Sequence, residues 1–305
     1  MKISNLINKL KKVVVDENYR CLILSTYGFY NNMPDEKYLK KRFKAQIGKE
    51  LNLENPETFN EKLQWLKLYD RNPEYTILVD KYGVRDYISK VLGKEYLIPL
   101  LGVWNKPEDI DFDKLPDQFV LKCNHNSGLG MCICKDKSKL NIKKVIDELH
   151  KGLKQNYYIT GREWPYKNVP RKIIAEKYMV DSMEEELKDY KIHCFNGEPK
   201  IILVCSKRFS KEGLCEDFYD INWKKLDVKR PNCVSSKEIS EPPKNLDKML
   251  EYSKILADKK AFVRIDFYEV NGKVYFGEIT FYPASGFETF VPEKWDKILG
   301  NWIDL

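Results

Sequence analysis

The feature that most constrains this chain is a pair of alternating segments near its C-terminal end. The segment 263–268 reads VRIDFY and the segment 275–280 reads YFGEIT, so apolar and polar residues alternate with a period of two. Asn271 and Gly272 lie between them, and this dipeptide is the strongest short-range signal for a β-hairpin. The pattern therefore predicts two antiparallel strands with one polar face. The residues of that face are Arg264, Asp266, Glu278 and Thr280.

The two carboxylates of this face limit its chemistry. Asp266 and Glu278 repel each other unless a cation lies between them. Their hard oxygen atoms suit Mg²⁺ that also holds nucleotide phosphates, so we expect a magnesium site here. Taken alone, the hairpin has one alternative interpretation, which is an ion-pair cluster on the protein surface.

A second element lies at 119–134, where an apolar strand delivers Lys122 into a short polar loop. The loop at 124–130 reads NHNSGLG, and an alternating strand begins at Met131. We expect a hairpin whose flexible tip covers phosphates, with backbone N–H groups as donors and Lys122 as a point charge. The glycine spacing is not that of a P-loop and no helix follows directly, so Walker-type and dinucleotide-binding sites do not fit. The alternative for the loop is a plain turn.

Two further strands are predicted downstream. The segment 173–180, IIAEKYMV, is apolar and carries Glu176 and Lys177 near its end. The segment 189–195, DYKIHCF, is followed by Asn196-Gly197 and a strand at 200–204, which predicts another hairpin.

The order of these parts resembles the ATP-grasp superfamily. Two longer motifs, FNEKLQW at 59–65 and GEITFYPASG at 277–286, resemble more narrowly the TupA-like ATP-grasp proteins of bacterial surface-polysaccharide biosynthesis. The resemblance extends from about residue 59 to the end of the chain. It implies an α+β fold of the ATP-grasp type, in which an N-terminal lobe precedes two α+β lobes that sandwich ATP.

The resemblance also implies which residues bind ATP. Lys81 and Lys122 occupy the positions of the two phosphate-binding lysines, and we expect Lys81 on an amphipathic helix, where its alternative role is that of a solvated lysine. The loop at 124–130 occupies the position of a mobile flap over the triphosphate. The further residues expected to bind the nucleotide are Ser127, Gly128, Glu176, Lys177, Met179 and, as the ribose acceptor, Asp189.

The resemblance implies Arg264 and Lys122 as catalytic residues, and the position of His125 beside Asn126 and Ser127 makes it a further catalytic candidate. Arg264 lies beside the Mg²⁺ ligands Asp266 and Glu278 and would neutralise a developing oxyanion. His125 lies in the glycine loop, where a contact with phosphate or substrate and a structural role are both open. Thr280 departs from the superfamily pattern, because many relatives have Asn at this position, and the number of direct metal ligands stays open.

The activity that the resemblance implies is that of an ATP-dependent carboxylate-amine ligase, with ATP and Mg²⁺ as cofactors. The γ-phosphoryl group moves to a substrate carboxylate, and an amine attacks the acyl phosphate to give an amide, ADP and phosphate. The expected partners are a small-molecule amine and a carboxylate-bearing sugar or polysaccharide, such as a uronic acid of a capsule or cell wall. The alternatives are a glycosyltransferase and a non-catalytic nucleotide-binding protein.

Composition excludes some other classes of protein. The net charge of +7 is spread along the chain and lacks the clustered basic and aromatic pattern of a nucleic-acid binder. The eight cysteines form no C-x-x-C pair and several lie in apolar strands, which favours a reducing cytoplasm. No signal peptide is predicted. An amphipathic helix at 3–15 is expected to pack on its own domain, and its alternative role is peripheral association with the inner membrane surface.

The length of 305 residues predicts two or three lobes. We expect an N-terminal helical and mixed lobe at 1–94, a small nucleotide-binding lobe with the glycine loop at 95–179, and a large antiparallel-sheet lobe with the magnesium site at 180–305.

Overall fold

The structure is a computed structural model, and it describes residues 11–182, 187–207, 213–231, 233–236 and 239–305. Residues 11–15 are helical, and the rest of the predicted amphipathic helix at 3–15 lies outside the described residues. The helices are α1 (Glu17–Thr26), α2 (Asp35–Ile47), α3 (Phe59–Tyr69), α4 (Glu74–Val79), α5 (Val84–Val91), α6 (Ile142–Lys154), α7 (Tyr157–Gly161), α8 (Leu246–Ala257) and α9 (Lys294–Gly300). The strands are β1 (Leu100–Trp104), β2 (Phe119–Cys123), β3 (Cys132–Cys134), β4 (Ile173–Lys177), β5 (Asp189–Phe195), β6 (Glu198–Ser206), β7 (Cys215–Asp220), β8 (Phe262–Val270) and β9 (Lys273–Thr280).

The larger sheet is antiparallel, with the strand order β7-β6-β5-β8-β9. Both predicted hairpins are present, and the residues of their turns, Asn196-Gly197 and Asn271-Gly272, all have positive φ angles. This is the backbone conformation that a two-residue hairpin turn requires, and Asn and Gly adopt it at low cost. The Asn-Gly signal thus located both turns correctly.

The two faces of the larger sheet differ in chemistry, as the period of two requires. On β8, the apolar side chains of Val263, Ile265 and Phe267 are fully buried. They belong to the core that includes Met249 and Leu256 of α8. The alternate residues Arg264 and Asp266 lie on the opposite face. The sheet therefore presents a charged face away from α8.

The smaller sheet is also antiparallel, with the strand order β1-β4-β2-β3. Its core contains Phe119 and Leu121 of β2, which pack with Val145 and Leu149 of α6. The predicted hairpin of β2 and β3 is present, with Leu121 opposite Cys132. Lys122 alternates with these core residues, so it faces away from α6.

The N-terminal helices pack in two groups. Leu63 of α3 and Ile88 of α5 belong to the same core as the larger sheet. Tyr38 and Phe43 of α2 form a separate cluster with Phe287. The division of the chain at residue 94 stays a prediction. Residues on both sides of that boundary share one hydrophobic core.

Among the helices in the described part of the chain, none is both long and apolar enough to span a bilayer.

Candidate active site

The predicted polar face of the β8–β9 hairpin is present. Arg264 pairs with Thr280 and Asp266 pairs with Glu278 in the strand register. The Arg264 guanidinium donates to Asp266 Oδ1 at 2.6 Å and Oδ2 at 2.7 Å, and its Nη2 donates to Glu278 Oε1 and Thr280 Oγ1 at 3.1 Å each. The hydroxyl of Thr280 therefore orients Arg264, which is a role that the sequence did not indicate.

Sequence reasoning missed one residue of this face, Lys191. It lies on β5 directly opposite Asp266. Its Nζ lies 2.6 Å from Asp189 Oδ2, and it also donates to Asp266 Oδ2. The signal was present in the alternation of DYKIHCF, which places Asp189 and Lys191 on the same strand face. Only the pairing of β5 with β8 brings them to Asp266.

The position of Lys81 differs from the expectation. It does not lie on a helix but in the turn between α4 and α5, because Asp80 ends α4 in an extended conformation and its carboxylate accepts from the N–H of Tyr82 at 2.8 Å. Lys81 Nζ donates to the carbonyl of Asn126 at 2.8 Å and lies 3.4 Å from Glu278 Oε2. Lys81 thus connects the glycine loop of the smaller sheet with the larger sheet.

The Lys122 side chain lies on the face of β2 that points away from α6, and its carboxylate partner is Glu176. Lys122 Nζ lies 2.6 Å from Glu176 Oε2, and Arg85 Nη1 donates to Glu176 Oε1 at 3.0 Å. Arg85 is a second residue that sequence reasoning missed. Since Glu176 is buried between two cations, its carboxylate holds Lys122 in place.

We expect Lys122→Ala to weaken ATP binding by about 10-fold to 100-fold, which corresponds to the loss of one hydrogen bond to a charged group. Stability should fall less, because Arg85 still compensates Glu176. Calorimetric titration with Mg-ATP, in the absence of substrate, measures the first effect, and urea denaturation measures the second. Lys139→Ala, an exposed lysine near the same sheet, serves as the control. Equal nucleotide affinity in the two variants would contradict a phosphate role for Lys122.

The glycine loop is anchored at its start and exposed at its tip. Asn124 is fully buried, and its side chain donates to Asp80 Oδ1 at 2.7 Å and to the carbonyl of Pro170 at 2.8 Å. Ser127 and Gly128 are exposed, and Gly128 has φ +81, which favours glycine. The predicted flap at 124–130 therefore reduces to a short exposed tip at 127–129 on an anchored base.

The structure does not bring His125 to the charged face. Its ring is 2% exposed, and Nε2 lies 3.1 Å from the carbonyl of Gln155 at the end of α6. Burial lowers the pKa of the imidazole. These contacts fix His125 in the base of the loop, and its catalytic role stays a prediction.

The remaining predicted nucleotide ligands lie in different places. Lys177 alternates with Glu176 on β4, so its side chain extends to the opposite face and is exposed. Met179 is half-buried beyond the end of β4. Asp189 lies beside Lys191, within the charged face of the larger sheet. The roles of Lys177, Met179 and Asp189 in nucleotide binding stay predictions.

The charges around Glu278 suit a site for an anionic ligand and a metal. Burial by itself raises the pKa of Glu278, but Lys81, Arg264 and Lys191 together hold that pKa below its ordinary value. Glu278 is therefore ionised, with its side chain 35% exposed. Mg²⁺ is usually bound by one or two carboxylates and completes its coordination with waters and substrate phosphates. Asp266 and Glu278 fit this pattern as cross-strand neighbours with hard oxygen donors.

In the part of the chain that the structure describes, protein side chains alone do not form a complete metal site. Within those ranges, no three His, Cys, Asp or Glu side chains converge as a group that could hold a metal ion. A metal at Asp266 and Glu278 thus needs further ligands, which nucleotide phosphates provide.

A buried polar network lies behind the site and joins the two motifs at 59–65 and 277–286. Lys67 of α3 is fully buried, and its Nζ donates to Gln64 Oε1 at 2.9 Å, to the carbonyl of Gly161 at 2.7 Å and to the carbonyl of Ser285 at 2.6 Å. Ser285 Oγ donates to buried Glu163 at 2.5 Å. The network holds a turn that directly follows β9.

The turn held by this network is conformationally strained. Ala284 has φ +48 and Ser285 has φ +55, a region that residues with a Cβ atom rarely adopt. Such conformations persist only where the surroundings impose them, and they are concentrated at functional sites. The turn begins three residues after Thr280, whose hydroxyl accepts from Arg264, so the strained turn closely follows the charged face along the chain.

Comparison with known families identifies the architecture. The model of the TupA-like ATP-grasp family matches residues 61–304. The chain belongs to this family. The match confirms the resemblance and the ATP-grasp fold predicted from the sequence. Comparison with curated proteins gave no match.

The solved structures to which this chain is similar include several ligases. D-alanine–D-alanine ligase from Bacillus anthracis complexed with ATP is 21% identical, with a TM-score of 0.38, and the match covers 67% of this chain and 55% of that one. The enzyme of the same name from Helicobacter pylori is 15% identical, with a TM-score of 0.41. That match covers 80% of this chain and 69% of the other. N5-carboxyaminoimidazole ribonucleotide synthetase from Thermus thermophilus is 10% identical, with a TM-score of 0.37. The match covers 67% of this chain and 45% of that one. The chain thus spans little more than half the length of the first of these structures.

Proposed function

We propose that the protein is an ATP-dependent, ADP-forming carboxylate-amine ligase that uses Mg²⁺ and forms an amide through an acyl phosphate. The observation that carries this proposal is the position of Lys81, which contacts both the glycine loop of the smaller sheet and Glu278 of the larger sheet. Against the effect of burial, Lys81, Lys122, Lys191 and Arg264 all act electrostatically on Glu278 and lower its pKa. This is the arrangement that phosphoryl transfer requires, because its catalysis consists mainly of positioning and of neutralising charge on the phosphates.

The residues have separate tasks in this proposal. Lys81 and Lys122 bind the phosphates, and Lys81 in addition joins the loop base to Glu278. Asp266 and Glu278 hold Mg²⁺, which when bound offsets the negative charge of the transferring phosphoryl group. Arg264 faces the same region and stabilises the oxyanion that develops when the amine attacks the acyl phosphate. No side chain forms a covalent bond in this reaction.

The substrates that we propose are a small-molecule amine and the carboxylate of a sugar, such as a uronic acid of a capsular or cell-wall polysaccharide. Support comes from the family. The motifs at 59–65 and 277–286 resemble those of TupA-like proteins of bacterial surface-polysaccharide biosynthesis. The excess of positive charge, +7 over the chain, also favours an acidic acceptor. The proposed compartment is the cytoplasm, with peripheral contact to the inner membrane surface near the site of polymer assembly.

A binding experiment separates this proposal from a glycosyltransferase. We expect Mg-ADP and Mg-ATP to raise the thermal unfolding temperature, because ligands that bind only the native state stabilise it, and we expect UDP-sugars to have no effect. Uronic acids paired with amino acids or amino alcohols are then screened for ADP release. Stabilisation by UDP-sugars and not by Mg-ATP would contradict the ligase.

A further inference from the structure

Both oxygens of Asp266 are occupied by cations of the protein itself. Arg264 donates to Oδ1 and Oδ2 at 2.6 and 2.7 Å, and Lys191 donates to Oδ2 as well. The Asp266 side chain is 2% exposed and that of Lys191 is 13% exposed, so solvent screens these charges weakly. A divalent cation that approaches Oδ2 therefore meets an ammonium group at the place where it must bind.

Lys191 has a second partner on the same strand face. Its Nζ lies 2.6 Å from Asp189 Oδ2, and both Asp189 and Asp266 are buried. If Lys191 leaves Asp266, it keeps a salt bridge to Asp189 and gains the phosphate oxygens of an incoming nucleotide. Arg264, in contrast, is fixed to Asp266, Glu278 and Thr280 by four hydrogen bonds. Lys191 is thus the cation that can be exchanged.

We propose that Lys191 is an internal counter-ion that occupies Asp266 in the nucleotide-free protein and leaves it for Mg²⁺ only when a nucleotide binds. This inference rests on the proposed function and adds regulation to the same site. It makes the affinity for metal depend on the nucleotide, which is a coupling free energy between two ligands. The consequence is a protein that does not sequester free divalent cations and that assembles its metal site only on a bound nucleotide.

The test measures metal binding without turnover. Mn²⁺ replaces Mg²⁺, and free Mn²⁺ is counted by electron paramagnetic resonance in the absence and presence of ADP. We expect Lys191→Met to bind Mn²⁺ without nucleotide about 5-fold to 150-fold more tightly than the wild type, the usual range of coupling between two sites. With ADP present, this difference should shrink, because the nucleotide has already displaced Lys191 in the wild type.

Two control variants accompany Lys191→Met. Lys191→Arg keeps the positive charge and should bind Mn²⁺ as weakly as the wild type. Lys90→Met removes an equal charge from an exposed position on α5 and should change nothing. A folded Lys191→Met protein with unchanged Mn²⁺ affinity would overturn the inference.

A second variant, Lys191→Gln, tests the inference if Lys191→Met does not fold, because its amide can still donate a hydrogen bond to Asp189 but carries no charge. We expect Lys191→Gln to bind Mn²⁺ without ADP at least about 5-fold more tightly than the wild type. An affinity equal to that of the wild type would show that Lys191 does not control metal binding. A wild type that binds neither Mn-ADP nor Mg-ADP would instead contradict the proposed ligase function, so the two failures are distinguishable.

Discussion

Glu278→Gln should lower kcat by about 10³-fold while the protein stays folded, because it removes one of the two charges that we propose hold Mg²⁺ and keeps the side-chain volume. A loss of this size corresponds to ~4 kcal/mol of transition-state stabilisation, within the range that a bound metal ion contributes. The Glu278 side chain is 35% exposed, so solvent limits the cost of replacing it. Steady-state ADP release and circular dichroism measure the two effects. The control is Glu198→Gln, which replaces an exposed carboxylate at the start of β6. Equal activity of the two variants would contradict a role for Glu278 in metal binding.

Asp266→Asn is a less informative change, although the sequence makes the two carboxylates look equivalent. Asp266 is buried between Lys191 and Arg264. Asn removes the negative charge that Arg264 and half-buried Lys191 share, and removing one member of a buried ion pair costs about 3–5 kcal/mol. An inactive Asp266→Asn protein could thus reflect unfolding, whereas an inactive Glu278→Gln protein reflects chemistry.

Lys67→Met should destabilise the protein by about 3–5 kcal/mol, the range for a broken buried charge network. Methionine fills the same space but donates no hydrogen bond, so the acceptors on Gln64, Gly161 and Ser285 lose their shared donor. Glu163 also loses a compensating charge. Burial lowers the pKa of Lys67, and it raises the pKa of Glu163.

Urea denaturation measures this effect. Lys40→Met, on the exposed surface of α2, removes only a solvent-exposed pair with Glu36 and should cost less than about 1 kcal/mol. Adding Glu163→Gln to Lys67→Met should recover part of the loss, since the two residues belong to one network. Equal small losses for Lys67→Met and Lys40→Met would show that the network contributes little to stability.

The elements that could be predicted from the sequence are those set by local rules. The β5–β6 and β8–β9 hairpins follow from period-two alternation and an Asn-Gly turn, and both are observed. The shared face of Arg264 and Asp266 follows from the same alternation, since it needs only one strand. The fold and the family were predicted from motifs that extend through most of the chain, and the family match confirms them.

The parts that could not be predicted depend on contacts distant in sequence. Lys191 acquires its role only because β5 pairs with β8, 75 residues away. Lys67 has the helical spacing of an ordinary surface lysine, and its burial depends on acceptors at Gly161 and Ser285. The burial of His125 could not be predicted either. A loop of small polar residues suggests an exposed side chain, whereas packing against the end of α6 buries His125.

The measurement that tests the reaction class most directly follows the oxygen atoms of the substrate carboxylate. If ATP activates this carboxylate as an acyl phosphate, one of its oxygens leaves with the phosphate when the amine attacks. A carboxylate substrate found in the ADP-release screen is labelled with ¹⁸O, and the phosphate product is analysed by mass spectrometry. We predict that ¹⁸O enters inorganic phosphate in step with amide formation. Label in AMP would contradict the proposed ligase, and so would turnover that releases a nucleoside diphosphate from a sugar nucleotide without ATP. Neither result would contradict the fold, because a fold alone does not determine chemistry.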